Sequence, residues 1–251
     1  MISSYTNARL TGVRSLLDKA KVRRERDAFV VEGIRSFREI PKEDLLEVYM
    51  SESFHEKNPS VQGEIVKEEV FKKLSDTRSP QGVLAVVRQK HYRLSDLIKA
   101  ENGLFLILEG IQDPGNLGTM LRTGEAAGLT ALIMDRKTAD IYSPKVVRST
   151  MGTIFRVPFL YVDDLFATVE EMKKSGVTFY AAHLKGSRNY NEAGYAPKTA
   201  FMIGNEGNGL SDELSSMADE KILIPMKGGV ESLNASVSAS ILMYKYCEGN
   251  S

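Results

Sequence analysis

Six short apolar runs, at residues 104–108, 131–134, 155–158, 177–182, 199–203 and 221–224, punctuate the second half of the chain. Helical patterns fall between most of them and after the last, at 117–127, 145–152, 165–175 and 234–246. Strands that read as continuous apolar residues, rather than as an alternation, are buried on both faces, the condition of a parallel sheet covered by helices. The class is therefore α/β with a mainly parallel sheet, and ligands of such sheets bind at the carboxyl ends of the strands. This domain is assigned to residues 103–251.

A smaller α/β segment precedes it. Residues 5–20 predict a helix with Val13, Leu16 and Leu17 on one side, and "AFVVEG" at 28–33 predicts a strand entering a turn. Residues 33–40 look helical, strands are expected near 46–50, 64–67 and 83–87, and Phe71 and Leu74 fall on a short helix. The first domain is set at 1–90. The polar stretch 91–102 is the linker; it lacks the glycine and proline of a floppy tether.

Composition narrows the function. The 251 residues contain one cysteine, Cys247, so no internal disulfide framework exists and a cytoplasmic location is the default. No run is long enough to cross a membrane, and the N-terminus is too polar for a signal peptide. Three scattered histidines beside one cysteine argue against a structural zinc site. The net charge is zero, but residues 9–26 hold seven basic side chains (Arg9, Arg14, Lys19, Lys21, Arg23, Arg24, Arg26) against two acidic ones. Such a cluster suits RNA phosphates; by charge alone a solvated helix face is the preferred reading.

Three turns should gather at the carboxyl edge of the sheet. In "DPGNLGTMLRTGEAAGL" (113–129), Pro114 and Gly115 break the chain and Asn116 is placed to cap the helix that follows. Gly118 allows close approach, and Arg122 could lean back toward the helix start, where a cation suits a phosphate. A capped helix with a surface arginine is the plain alternative. In "MIGNEGNGL" (202–210), Glu206 sits in a glycine-rich turn and is expected to pair with Arg122. In "ILIPMKGGVESLNASVSASILMYKY" (222–246), Ser232 and Asn234 stand where both can cap a helix. Leu233, Val237, Ile241 and Tyr244 form an apolar stripe expected to be buried, and small residues from Ala235 to Ser240 permit close packing. Neither G-x-G-x-x-G nor a P-loop is present, which excludes a dinucleotide dehydrogenase.

Together these stretches resemble the SpoU-type (TrmH-like) RNA ribose 2'-O-methyltransferases of the SPOUT superfamily. The first motif matches Asn116, Gly118 and Arg122; the second Gly204, Glu206, Gly209 and Leu210; the third Ile224–Met226 by position, Gly228, Ser232, Leu233, Asn234 and Ser236. "FVVEG" and "DTRSPQGVLAVV" resemble the family's substrate-binding domain. The chain departs from the family at Ala235, where valine is common, and at 238–240, where serines and alanine replace alanine and glycine.

The resemblance implies a deep trefoil knot, which ordinary connection rules would exclude, and a homodimer through the knotted domain. It implies S-adenosylmethionine as donor, held by Gly204, Ile224, Met226 and Leu233. His183 is a further donor-site candidate, with a structural role as the preferred alternative. Catalysis falls to Arg122, Asn116, Glu206, Ser232 and Asn234, with no metal. RNA contact falls to Arg9, Arg14, Lys21, Arg23, Arg24, Arg26 and Arg35. Residues 142–148 are open between lining the RNA side and a plain helix start. Ribosomal RNA is the expected substrate. The alternatives are transfer RNA, methylation of a base nitrogen, and a non-catalytic RNA-binding assembly factor on the same fold.

Overall fold

A computed structural model describes residues 1–184 and 188–249. The chain divides into two compact units, Met1–Lys90 with Asp140–Phe155, and His91–Ala139 with Arg156–Ser251.

The first unit opens with α1 (Ala8–Asp18) and α2 (Ala20–Glu25). The single helix expected over 5–20 breaks at Lys19, whose extended backbone (φ −124°, ψ 111°) starts a second helix. Then come β1 (Ala28–Glu32), α3 (Ile34–Arg38), β2 (Leu45–Ser51), α4 (Glu52–Lys57), β3 (Glu64–Val66), α5 (Glu68–Leu74) and β4 (Val83–Arg88). The strands form one sheet in the order β1-β4-β2-β3. The first two pairings are antiparallel and the last parallel. On one face Leu10, Val13 and Leu16 of α1 and Phe71 and Leu74 of α5 bury against Val30, Tyr49 and Leu84. Helix α4 was not expected; the hydroxyl of Ser51 accepts from the N–H of Phe54 and starts it.

The second unit begins with α6 (Leu94–Leu97), β5 (Gly103–Leu108), α7 (Pro114–Ala126) and β6 (Ala131–Asp135). The chain then enters α8 (Pro144–Thr150), inside the segment that groups with the first unit. There the Phe29 ring of β1 lies 4.6 Å from Tyr142 and 6.1 Å from Phe155. Sequence patterning had assigned this segment wholly to the second domain.

The remaining elements are β7 (Phe159–Val162), α9 (Leu165–Lys174), β8 (Thr178–Ala182), β9 (Arg188–Asn189), β10 (Lys198–Ile203), α10 (Asp212–Ser216), β11 (Glu220–Leu223) and α11 (Ala235–Gly249). They complete a seven-stranded sheet in the order β7-β6-β5-β10-β8-β11-β9. Every pairing in it is parallel. One face is sealed by Leu165, Val169 and Met172 of α9 and by Leu214 of α10; α7 and α11 pack together, with α11 also against β5 and β10.

Two expectations are corrected here. The strand foreseen at 155–158 begins later, at Phe159, and Thr153–Phe155 is a 3-10 turn. Pro158 has no N–H to offer a ladder and serves only as an acceptor, from Leu132 N at 3.0 Å. The apolar stripe on α11 faces outward: Val237 is 45% and Tyr244 50% exposed, while Ser236, Ala239, Leu242, Met243 and Tyr246 are buried.

Candidate active site

The loops after β8, β10 and β11 and the first turn of α11 enclose a cleft of about 410 Å³ in the second unit. Its position follows from the parallel sheet, whose carboxyl ends all open on one edge. Gly204, Ile224, Met226, Leu233 and His183 line it, together with Glu206, Ser232 and Asn234. The turn after β10 closes on itself: Asn205 N donates to Gly209 O (3.0 Å) and Gly209 N to Asn205 O (2.8 Å). A Cβ on Gly204 would lie 2.0 Å from Gly209 C and Leu210 N, so only glycine fits.

Asn116 stands behind the cleft rather than in its wall. Its Nδ2 donates to Glu206 Oε1 at 2.9 Å, and its Oδ1 accepts from Asn234 Nδ2 at 2.9 Å. Asn234 in turn accepts from Ser236 N (2.9 Å) and Ser236 Oγ (2.7 Å), capping α11 as expected. The expected cap of α7 is corrected. Asp113 accepts from Asn116 N at 2.9 Å, with Pro114 at the first helical position. That leaves the Asn116 amide free to bridge two loops.

Glu206 also accepts from the N–H groups of Gln112 and Asp113, both at 3.1 Å. Partial burial alone would raise its carboxyl. The bonds from Asn116 and from the N–H groups of Gln112, Asp113 and Glu206 itself outweigh that and hold it below the ordinary carboxylate range. The expected Glu206–Arg122 pair does not form: Glu206 is already taken by these donors. Arg122 is exposed on α7, on the same face as the buried Gly118 four residues before it, while Leu117, Met120 and Gly124 are buried on the opposite side.

Two residues absent from the sequence reading hold the loops. Asn205 donates from Nδ2 to Gly110 O (2.7 Å) and accepts from Gly207 N (2.9 Å). Glu109 accepts from both the N–H and hydroxyl of Ser211, each at 2.7 Å. The turn chemistry of Asn-Glu-Gly-Asn-Gly is the signal by which Asn205 could have been found.

In the first unit the basic cluster is sorted by burial. Arg9 pairs with Glu64; Arg14 lies 4.0 Å over the Tyr5 ring; Lys21 is 3.7 Å from Glu25 and Arg26 is 3.7 Å from Glu47. Arg24 and Arg35 are exposed. Arg23 is a correction. It is 4% exposed, donates to Leu16 O (2.6 Å) and Leu17 O (2.9 Å), and pairs with Asp140 at 2.8 Å. Its charge closes the end of α1 and is not offered to a phosphate.

An all-parallel sheet with a cleft of ligand size at its carboxyl edge, lined by main-chain groups and few ionic side chains, defines an α/β domain that binds a small organic molecule. The chain belongs to the SpoU rRNA Methylase family, whose model matches residues 103–244, and an MRM3-like substrate binding domain matches residues 7–85. It is 35% identical over 184 residues to the 23S rRNA (guanosine(2553)-2'-O)-methyltransferase RlmP of Bacillus subtilis, spanning 73% of this chain and 72% of that one. Among solved structures, the AdoMet-bound rRNA methyltransferase from Sinorhizobium meliloti superposes with a TM-score of 0.84 at 28% identity, over 97% of this chain and 95% of that one. The SpoU methyltransferase AviRb from Streptomyces viridochromogenes gives 0.84 at 25% identity, over 97% and 98%.

Proposed function

We propose that the protein transfers a methyl group from S-adenosylmethionine to a ribose 2'-hydroxyl of ribosomal RNA. The observation that carries this reading is the Glu206–Asn116–Asn234 bridge at a cleft of about 410 Å³. That volume falls within the ordinary range for small-molecule sites. The lining suits the donor: Gly204 admits close main-chain approach, Leu233 and Met226 offer apolar surface, and Glu206 is the one carboxylate among the described lining residues. When bound, the donor supplies an activated methyl group on a sulfonium.

The residues of the chain then have distinct tasks. Glu206 and Asn234, tied through Asn116, fix the loops that form the cleft wall. Ser232 offers an exposed hydroxyl at the mouth. Arg122 grips an RNA phosphate and stabilises the developing alkoxide, since a guanidinium keeps its proton and is a poor base. The 2'-hydroxyl proton passes to a phosphate oxygen.

A homodimer belongs to this reading. Arg122 is exposed and does not line the cleft of its own chain, and α11, which packs on α7, turns Val237 and Tyr244 to solvent. Pairing through this surface covers the apolar stripe and brings Arg122 of one copy to the cleft of the other. The trefoil knot belongs to it too: the chain leaves β11 beyond β8 and returns to α7, β10 and β5 as α11. RNA affinity comes from Arg9, Arg14, Lys21, Arg24, Arg26 and Arg35, and the workplace of such an enzyme is the cytoplasm. No helix among the described residues is long and apolar enough to cross a membrane. Mapping ribose methylations in total RNA with and without the protein tests the function; a map unchanged at every 2'-oxygen overturns it.

A further inference from the structure

The first unit has a cleft of its own, about 280 Å³ in volume, for which the methyl-transfer chemistry has no use. Three stretches build it: the turn after β1, residues 77–81, and the end of α8. The turn is shaped around one amide. Gly33 holds φ at +96°, and Gln81 Oε1 accepts from Ile34 N at 2.9 Å. This fixes the Gln81 side chain and leaves its two Nε2 hydrogens without an acceptor among the described residues. Glu32, which precedes this turn, ties it to residues 75–77 by accepting from the Ser75 hydroxyl, from Thr77 Oγ1 (2.9 Å) and from Asp76 N (3.2 Å).

Charge and apolar surface complete it. The guanidinium of Arg148 is held by Asp76 at 2.6 Å and stays partly exposed, and Arg35 is exposed. Met151 is 38% exposed and sits in the left-handed region at φ 52°, which a residue with a Cβ rarely adopts. Such strain concentrates where a side chain is held for a task. A fixed amide, two guanidinium groups and an apolar thioether are what a nucleotide offers partners to: a base edge, a phosphate and a base face.

We propose that this cleft seats one unpaired nucleotide of the RNA substrate, with Gln81 reading the base edge, Met151 against the base face, and Arg35 and Arg148 on the flanking phosphates. A nucleotide inside a duplex cannot enter such a pocket, so the site selects a loop or bulge. The inference rests on the RNA reading above. It adds a specificity subsite partly built from a segment inside the methylase-family region of the sequence.

The test uses the full chain with 23S ribosomal RNA from cells lacking the protein. Gln81→Ala and Met151→Gly are compared with wild type; the glycine adopts φ 52° freely, so this variant keeps its fold. The expected result is a KM for RNA raised about tenfold in each, with kcat and donor affinity unchanged. A KM within about twofold of wild type in both variants overturns the subsite. Photo-crosslinking of 4-thiouridine-bearing RNA gives a second readout: adducts on residues 79–81 or 148–151 support it, and adducts confined elsewhere overturn it. If wild type transfers no methyl group, the proposed reaction fails, while the crosslinks still report on the cleft.

Discussion

Asn116 Nδ2 lies 2.9 Å from Glu206 Oε1, although ninety positions separate them in the chain. One amide thereby ties the first turn of α7 to the loop after β10, and its oxygen reaches the start of α11 through Asn234. Asn116→Asp replaces the donor with a carboxylate facing a carboxylate. This variant should lose at least about tenfold in kcat/KM and about 1–3 kcal/mol of stability, read by methyl transfer and urea unfolding. Full retention of both would remove Asn116 from the site.

Glu206 titrates below the ordinary carboxylate range in the folded chain. Its contribution to stability is therefore present above the carboxylate's unfolded pKa and is lost as pH falls through the lower folded value. Wild type should lose unfolding midpoint on acidification across that window. Glu206→Gln, which cannot titrate, should lack that component, and identical pH profiles for the two proteins would contradict the assignment.

Arg122→Ala should abolish turnover while leaving donor affinity near wild type by calorimetry, because the side chain does not line the proposed donor cleft of its own chain. Val237→Asp puts a charge in the exposed stripe of α11. It should shift the protein from dimer to monomer in sedimentation and lose activity with it. An active monomer would contradict the proposal that two copies share a site.

The two neighbouring arginines of α2 should behave oppositely. Arg24→Glu should leave stability unchanged, weaken RNA binding and lower the salt slope by about one or more. Arg23→Ala should cost about 3 kcal/mol, since it strips Asp140 and the last carbonyls of α1 of their partner. Binding titrations across salt, alongside thermal melts, separate the two effects.

How far the sequence revealed this molecule depended on the signal each feature carried. The strands of the second unit were legible because burial on both faces leaves unbroken apolar runs, as at 104–108 and 199–203. The approach of the loops after β10 and β11 was legible from glycine chemistry and the parallel-sheet rule. The role of Asn116 was misread because Asp, Asn, Pro and Gly crowd one helix start, and each can serve a cap; Pro114 at the first helical position was the clue that Asp113 takes that task. Arg23 was misread because charge in a sequence carries sign but not exposure. The stripe on α11 was misread because the buried face runs through Ser236, Ala239, Leu242, Met243 and Tyr246, and its first two members are too small or polar to mark that face in the sequence. Nothing in local pattern revealed that the segment around α8 folds with residues 1–90, since that choice depends on a ring on β1 meeting rings far along the chain.

That exchange of a segment governs how the protein can be dissected. A gene cut at codon 90 yields a front piece whose Phe29 has lost Tyr142 and Phe155, and whose Arg23 has lost Asp140. The back piece carries Ile141, Val146, Val147 and Ile154, all buried in the whole chain, with no β1 to cover them. Neither half is a self-sufficient module, so an insertion or deletion between them in evolution must respect three backbone crossings rather than one.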